Sequence, residues 1–320
     1  MIDTLTARRP DRAAVLGFLQ AGGVYVATAL ILAFNLLFTP NFATLANLRL
    51  QLVQVAPVAI VAIGMALVIA TEGIDLSVGS IMAISAALLP LYIGYGVWPA
   101  IAISLVAGIA VGAINGSLVA FAGMQPIIAT LGVLVAGRGL ALVFANGRLT
   151  ELFDPTLDAL GNDSVLGVPI SVVLVLAVTV LVGLAVRRAA FGRRLLAVGG
   201  NRAAATLAGL PVKRTLITVY VVSGLLAAAA GVLSTARQGA SDPSFVGLLI
   251  ELSAITAVVV GGTPLSGGRV RILGTLMGAL LMQLIAATVI QQNLPDSTAR
   301  MIQAGIIVAA VYVQRGRSRT

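Results

Sequence analysis

Residues 187 to 214 read RRAAFGRRLLAVGGNRAAATLAGLPVKR, and they hold seven of the twenty Lys and Arg residues of the chain. Long apolar runs lie on both sides of this segment. Because Lys and Arg concentrate in the cytoplasmic loops of membrane proteins, a basic island between apolar blocks indicates which side of the membrane it faces. The segment, called the basic loop below, is therefore predicted to lie in the cytoplasm between two membrane spans.

The second half of the basic loop contains a helical pattern of its own. Residues 197 to 210 place Val198, Leu207 and Leu210 among small residues, and a glycine followed by a proline ends the pattern. Gly and Pro are typical of the residues just beyond a helix C-terminus. We therefore expect one short helix on the cytoplasmic surface, where it would form a docking point for a soluble partner.

The composition is that of an integral membrane protein. Of the 320 residues, 59% are apolar and 10% are charged, and the mean hydropathy is +1.07. A soluble domain carries roughly 25% charged residues, so this chain lacks the polar side chains to cover a surface in water. The basic residues behind the net charge of +9 lie in loops and tails that flank apolar runs. This placement favours a role in membrane orientation over nucleic-acid binding.

Several kinds of chemistry are excluded by the residues that are missing. The chain has no cysteine and no histidine, which rules out disulfides, thiol nucleophiles, Ser-His-Asp triads and zinc sites. The glycine-rich segment 261 to 269 has Val270 after Arg269, where a nucleotide-binding P-loop needs Lys followed by Ser or Thr. We expect a tight turn there, no catalytic residues, no metal site and no cofactor bound by this chain.

Apolar runs of roughly twenty residues predict an all-α protein with about ten transmembrane helices. Six crossings would separate the N-terminus from the basic loop and four would follow it, so the loop and both termini share one side. That side holds fifteen of the twenty Lys and Arg residues, which identifies it as the cytoplasm. We expect a tail at 1–13, a membrane domain at 14–314 and a tail at 315–320. The predicted spans are 14–37, 51–70, 76–95, 98–121, 127–145, 168–187, 215–236, 247–262, 272–291 and 298–314.

The ten spans divide into two five-helix halves of opposite topology, as in inverted repeats. The third span of each half is unusual, because one is short and ends near Pro90 while the other carries Glu251 and reaches Gly261 early. Short or interrupted helices at matching positions point to a transport pathway. The alternative is that both are tilted or re-entrant helices packed by their neighbours.

Charged residues at or within the spans have two interpretations each. Asp75 is placed to cap span three, and Glu251 lies in the first turn of span eight, where the helix dipole tolerates an acid. The alternatives are a direct role in transport for Asp75 and a gate or partner contact for Glu251. Arg138, inside span five, is expected to reach backbone carbonyls or one of these two acids.

Polar side chains at the spans could bond within the protein or touch a polar solute. We treat them, together with the acids, as candidates for a translocation path. The candidates are Asp75, Ser77, Asn115, Gln125, Thr130, Tyr220, Ser223 and Glu251.

A series of motifs resembles the permease subunits of ABC importers for monosaccharides, the ribose, xylose and galactofuranose group. GIDLSVGS at 73–80 is similar to the signature of that family, although Glu72 stands where glycine is commoner. The resemblance covers about residues 50 to 290, and residues 251 to 269 are most similar to galactofuranose-type permeases. The further motifs are NG at 115–116, QPIIATLG at 125–132, GRG at 137–139, ELSAI at 251–255, VGG at 260–262 and GGR at 267–269.

The resemblance implies a multi-pass permease of the bacterial inner membrane that works as a homodimer or heterodimer. Its partners would be two ABC ATPase subunits, which bind ATP and magnesium, a periplasmic sugar-binding protein and the membrane lipid. In this family the loop after span six carries a coupling helix, and residues 203 to 209 match its spacing with Ala203 in place of the usual glutamate. The candidate coupling residues are Arg202, Ala203, Ala204, Ala205, Leu207 and Gly209.

Two other functions are kept as alternatives. One is an ABC permease for branched-chain amino acids or nucleosides. The other is an ion-coupled secondary transporter, a class that usually carries acids or histidines deep in the membrane. The absence of histidine and the position of the acids at the span boundaries favour the sugar permease.

Overall fold

A computed structural model describes residues 12–315 of the chain, with side chains described for 22–295, 297–302, 304–306 and 308. This part contains thirteen α-helices and four two-residue strands. The helices are α1 (Arg12–Phe38), α2 (Leu45–Ala70), α3 (Val78–Tyr92), α4 (Val97–Ala120), α5 (Pro126–Phe144), α6 (Pro155–Asn162), α7 (Ile170–Arg188), α8 (Ala190–Gly200), α9 (Arg202–Leu207), α10 (Val212–Gln238), α11 (Ile250–Val260), α12 (Ile272–Gln291) and α13 (Asp296–Arg315).

The strands form two small antiparallel pairs in the connections between helices. β1 (Thr150–Glu151) pairs with β4 (Ala240–Ser241), and β2 (Ser164–Val165) pairs with β3 (Val168–Pro169). The long connection from α5 to α7 also contains α6, whose first turn is capped by the side chain of Asp154. The fold is therefore all-α in its architecture, as the composition predicted.

Each of the ten predicted spans overlaps one helix of the described residues, although the helix at the eighth span, α11, has only 11 residues. In the part of the chain that the structure describes, seven helices are long and apolar enough to cross a membrane, namely α2, α3 with its 3-10 extension to Tyr95, α4, α5, α7, α10 and α12. Membrane passage of α1, α11 and α13 stays a prediction, and so does the opposite topology of the two halves. The predicted tails at 1–13 and 315–320 lie almost wholly outside the described residues, which begin in α1 at Arg12 and end in α13 at Arg315.

The prediction of one helix over residues 197 to 210 is wrong. Two helices, α8 and α9, are separated at Asn201, whose backbone is extended. The Asn201 side chain accepts a hydrogen bond from the backbone N–H of Ala204 at 2.9 Å and so caps α9. Asparagine favours this cap position because its side chain satisfies an N–H group that would have no partner inside the helix.

Glycine allows the central helices to pack closely. α10 contacts α2, α3 and α4, and the residues of α2 from Val55 to Ala70 are nearly all buried. Gly108, Gly112 and Gly116 recur every fourth residue on α4, so they share one face. A Cβ atom at Gly112 would lie 2.3 Å from the carbonyl oxygen of Tyr220 on α10. Only glycine admits that approach, which explains the spacing of small residues in α4.

Candidate functional site

The connection from α2 to α3, residues 71 to 77, carries a fully buried carboxylate. Oδ1 of Asp75 accepts hydrogen bonds from the N–H group of Ser77 at 3.0 Å and from its hydroxyl at 2.6 Å. Oδ2 accepts a hydrogen bond from the hydroxyl of Ser223 on α10 at 2.8 Å. Asp75 thus accepts a hydrogen bond from a backbone N–H group immediately before α3. This contact is similar to its predicted role as the cap of span three, although the N-cap position of α3 is Ser77.

Two further helices converge on the same connection. Asn115 on α4 donates from Nδ2 to the hydroxyl oxygen of Ser77 at 2.7 Å. The hydroxyl of Thr130 on α5 accepts from the N–H of Leu76 at 3.1 Å and donates toward the carbonyl oxygen of Ile74 at 3.0 Å. The start of α3 is therefore held by polar groups from α4, α5 and α10 together.

A buried tyrosine completes this group. Tyr220 is fully buried, and a Cβ atom at Gly73 would lie 2.7 Å from its hydroxyl oxygen. Neither that hydroxyl nor Oδ1 of Asn115 has a hydrogen-bond partner among the described residues. The structure thus brings six of the eight predicted path residues into one place, called the polar cluster below. Its members are Asp75, Ser77, Asn115, Thr130, Tyr220 and Ser223.

The electrostatics of the polar cluster are dominated by burial. Asp75 lies in the connection between α2 and α3, outside both helices, and burial raises the pKa of its carboxyl group above the ordinary value. Hydrogen bonds from the Ser77 side chain, the Ser223 side chain and the Ser77 backbone act in the opposite direction and lower that pKa. These hydrogen-bond donors stabilise the charged carboxylate, whereas its loss of hydration on burial destabilises it.

The other two candidates lie outside the polar cluster. Gln125 is exposed at the beginning of α5, and its side chain makes no capping hydrogen bond. Glu251 is 7% exposed in the first turn of α11, and a Cβ atom at Gly79 would lie 2.7 Å from its Oε2 atom. The same Cβ would lie 2.4 Å from the carbonyl oxygen of Gly247. The third helices of the two predicted halves, α3 and α11, therefore contact one another there.

Arg138 reaches backbone carbonyls, which was the first of its two predicted roles. Its NH1 atom donates to the carbonyl oxygens of Pro243 at 2.9 Å and Val246 at 2.7 Å. These two residues belong to the turn that leads into α11, in which Gly247 and Leu249 both have left-handed backbone conformations. Arg138 thus fixes the turn that positions Glu251.

The candidate coupling residues lie on or directly after α9. Leu207 is 91% exposed at the end of the helix, whereas Ala205 is buried and packs against the core. Ala203 and Ala204 are exposed, and Gly209 follows with a left-handed φ of 72°. The short helix therefore presents one large apolar side chain at the surface.

A junction of backbone atoms connects the basic loop to the end of α2, directly before the connection that bears Asp75. Gly268 donates its N–H to the carbonyl oxygen of Ala70 at 3.0 Å. A Cβ atom at Gly199, near the end of α8, would lie only 1.7 Å from that same oxygen. From the sequence, Gly267 and Gly268 were predicted only to form part of a turn, and Gly199 had no predicted role. The sequence signal for this junction was the pair of adjacent glycines at 199–200 and at 267–268, because adjacent glycines often mark a close approach of two backbone segments.

The polar cluster has few of the groups that hold a metal ion. Among the residues that the structure describes, no group of three or more Asp or Glu side chains is close enough to bind one. The cluster supplies a set of buried hydroxyl, amide and carboxylate groups, in which two polar atoms have no hydrogen-bond partner within the described part of the chain. Such an arrangement suits structural locking of helices or contact with a polar solute.

Comparison with known proteins identifies the family. Residues 47–311 match the family model described as "Branched-chain amino acid transport system / permease component". The fructose import permease protein of Bifidobacterium longum is 39% identical over 260 residues, which are 79% of this chain and 73% of the relative. The galactofuranose transporter permease protein of Escherichia coli is 37% identical over 91% of this chain and 89% of the relative.

A third relative covers nearly the whole chain. The L-arabinose ABC transporter permease protein of Azospirillum brasilense is 35% identical over 98% of this chain and 93% of its own length. No solved structure matches the chain.

Proposed function

The chain belongs to the family of branched-chain amino acid transport system permease components, and we propose that it is the membrane-spanning permease subunit of an ABC importer for a monosaccharide. The similarity of nine-tenths or more of the chain to sugar permeases carries this proposal. The relatives are permease components of transport systems, so the chain has the role of a transporter subunit and not of an enzyme.

The cargo is the point on which the family description and the individual relatives differ. The description of the family model names branched-chain amino acids, whereas the names of the three relatives contain fructose, galactofuranose and L-arabinose. The relatives are individual proteins that align over most of their lengths, so they weigh more for cargo than the description of a broad family. A monosaccharide is therefore the proposed cargo, ahead of branched-chain amino acids and nucleosides.

The proposed architecture places ten spans in the bacterial inner membrane, with both termini and the basic loop in the cytoplasm. The excess of Lys and Arg in the basic loop supports this orientation. The two five-helix halves would have opposite topology, and α3 and α11 would be their corresponding third helices. Contact between these helices at Gly79 and Glu251 supports a pathway that runs near them.

ATP hydrolysis would be supplied by separate ATPase subunits that dock on α9. The 91% exposure of Leu207 supports this placement, since an apolar side chain in water is stabilised by a partner that covers it. The backbone junction of Gly199, Ala70 and Gly268 would then carry movement of α8 and α9 to the connection that bears Asp75. A second permease subunit and a periplasmic sugar-binding protein complete the proposed assembly.

The test is purification of the tagged full chain in mild detergent from cells that also express the genes next to its own. We expect a P-loop ATPase to co-purify in stoichiometric amount, and the number of permease bands to distinguish a homodimer from a heterodimer. The purified complex in proteoliposomes should then take up a monosaccharide only when ATP and the binding protein are present.

Two outcomes would overturn the proposal. A chain that purifies alone and moves solute along an ion gradient without ATP would be a secondary transporter. ATP-dependent uptake of leucine or a nucleoside, with no uptake from a panel of fructose, ribose, arabinose and galactofuranose, would retain the ABC mechanism and reject the sugar.

A further inference from the structure

A groove with a volume of about 500 Å³ opens between the end of α4, the helix α9 and the beginning of α10. Val119 and Gly123 form its α4 side, and Thr206 and Leu216 form part of the opposite side. It is separate from the polar cluster, whose residues are buried in the interior. None of the candidate path residues lines it.

The groove carries three positive charges and no negative one. Arg202, Lys213 and Arg214 line it, all three are exposed, and no Asp or Glu is among its lining residues. Three cations around one cavity repel one another, and that repulsion is relieved when an anion binds between them. The groove is therefore suited to an anionic group such as a phosphate.

The surroundings indicate that the groove lies at the boundary between lipid and water. The Nζ atom of Lys213 lies 5.2 Å from the centre of the Phe121 ring, and that ring is 65% exposed just beyond the end of α4. Exposed aromatic rings and snorkelling lysines are concentrated at the membrane interface. Since α4 is one of the helices long enough to span a membrane, its end is expected at that depth.

An apolar surface continues from the groove along α4. Val106, Ile109 and Ile114 are 61%, 37% and 54% exposed, and their spacing places them on the same broad face of the helix as Phe121. A cationic groove next to an exposed apolar helix face matches the two parts of a phospholipid, a charged headgroup and an acyl chain.

The face of α9 that lines the groove differs from the one that exposes Leu207, the apolar residue proposed to contact the ATPase. Arg202 and Thr206 are four residues apart, so they lie on one face of the helix, and both line the groove. Leu207, the exposed docking candidate, is not among the lining residues. Of the six candidate coupling residues, Arg202 alone is among the residues that line the groove, so the lipid and the ATPase would share this one side chain of α9.

We propose that this groove binds the phosphate headgroup of an anionic membrane phospholipid through Arg202, Lys213 and Arg214, with an acyl chain along the exposed face of α4. A bound lipid of this kind joins α9 to α4 and α10 and so supports the helix on which the ATPase docks. The binding itself does not depend on which solute the protein carries.

Native mass spectrometry of the full chain, released from nanodiscs that contain equal amounts of phosphatidylglycerol and phosphatidylcholine, tests the proposal. The test variant is Arg202→Gln, Lys213→Gln and Arg214→Gln together. The matched control is Arg187→Gln, Arg193→Gln and Arg194→Gln, which removes the same charge from exposed sites that do not line the groove.

We expect the unmodified chain and the control to retain phosphatidylglycerol in preference to phosphatidylcholine, and the test variant to lose that preference. A basic side chain near an anionic lipid surface changes affinity by about fivefold, so the three together predict a loss of roughly 100-fold. Equal retention of phosphatidylglycerol by the test variant and the control would overturn the proposal.

Two further measurements distinguish a bound lipid from a free anion and from the ATPase as the partner of the three cations. Inorganic phosphate added to the chain in phosphatidylcholine nanodiscs should not raise its thermal unfolding midpoint, whereas phosphatidylglycerol should. Protection by inorganic phosphate alone would show that the groove takes a free ion. A test variant that loses the co-purifying ATPase while it keeps its phosphatidylglycerol would assign the three cations to the ATPase instead.

Discussion

Ser223 on α10 donates its hydroxyl to Oδ2 of Asp75 at 2.8 Å, although the two residues are 148 positions apart in the chain. The other carboxylate oxygen bonds Ser77 immediately before α3, so one side chain connects the start of α3 to α10. Both residues are buried, at 0% exposure for Asp75 and 1% for Ser223. A buried carboxylate with three donors is costly to remove, because its donors then lose their partner.

Replacement of Asp75 by alanine is expected to destabilise the protein by about 3 kcal/mol, since the buried donors of Ser77 and Ser223 are left without their acceptor. Thermal unfolding in detergent measures the change as a lower midpoint. Asp163→Ala is the matched control, because Asp163 is exposed. Equal midpoints for the two variants would show that the polar cluster does not hold α3 to α10.

Replacement of Gly112 by alanine is expected to separate α4 from α10. The added Cβ atom would lie 2.3 Å from the Tyr220 carbonyl oxygen, and overpacking of this kind costs about 1–3 kcal/mol. Gly132→Ala serves as the control, because nothing lies within 4 Å of a Cβ atom there. The unfolding midpoint should fall for the first variant and stay level or rise for the second, since alanine favours helix over glycine.

Replacement of Gly199 by alanine is expected to disturb the junction between α8 and the end of α2, directly before the connection that bears Asp75. The new Cβ atom would lie 1.7 Å from the Ala70 carbonyl oxygen, so α8 must shift. In proteoliposomes with the ATPase, we expect sugar uptake per ATP hydrolysed to fall several-fold.

Gly200→Ala is the control for that experiment, because nothing lies within 4 Å of a Cβ atom at the neighbouring position. Equal coupling ratios for the two variants would place the transmission of movement elsewhere. A fall in uptake and in ATP hydrolysis by the same factor would instead indicate that the permease has lost its fold or its partner.

Replacement of Leu207 by aspartate is expected to release the ATPase without affecting folding. The side chain is 91% exposed, so the charge meets water in the free permease and a desolvated surface only in the complex. Co-purification of the ATPase should fall at least tenfold, a loss that corresponds to about 1.4 kcal/mol. Leu166→Asp, at a leucine that is 99% exposed in another connection, should leave the yield of ATPase unchanged.

Replacement of Arg138 by glutamine is expected to loosen the turn before α11. The change removes the hydrogen bonds from NH1 to the carbonyl oxygens of Pro243 and Val246. Hydrogen exchange of the peptide that covers residues 240 to 250 should become faster, because fewer tertiary bonds oppose local opening. Arg148→Gln is the control at an exposed arginine, and equal exchange in the two variants would contradict the role of Arg138.

The sequence predicted the positions of the long helices well and the small features of the basic loop poorly. Each predicted span falls on a helix because an apolar run must pair its own backbone groups when it leaves water. The division of residues 197 to 210 into α8 and α9 was missed, because a cap at Asn201 depends on one extended backbone position that periodicity does not reveal.

For the candidate site, the sequence identified the individual polar residues but not which of them lie together. The polar residues within spans were identified from the sequence, because polar groups in apolar runs need a reason to be there. Their association was not, and Gln125 lies outside the cluster although it belongs to the same motif as Thr130.

By itself the sequence determined that the protein is helical, membrane-embedded and without thiol or imidazole chemistry, since composition and apolar run length decide those properties. Only the tertiary structure decided that Asp75, Asn115 and Ser223 meet, and that Gly199 touches Ala70. The physical reason is that the helical period sets which face of a helix a residue occupies, whereas the neighbour of that face depends on the packing of the whole bundle.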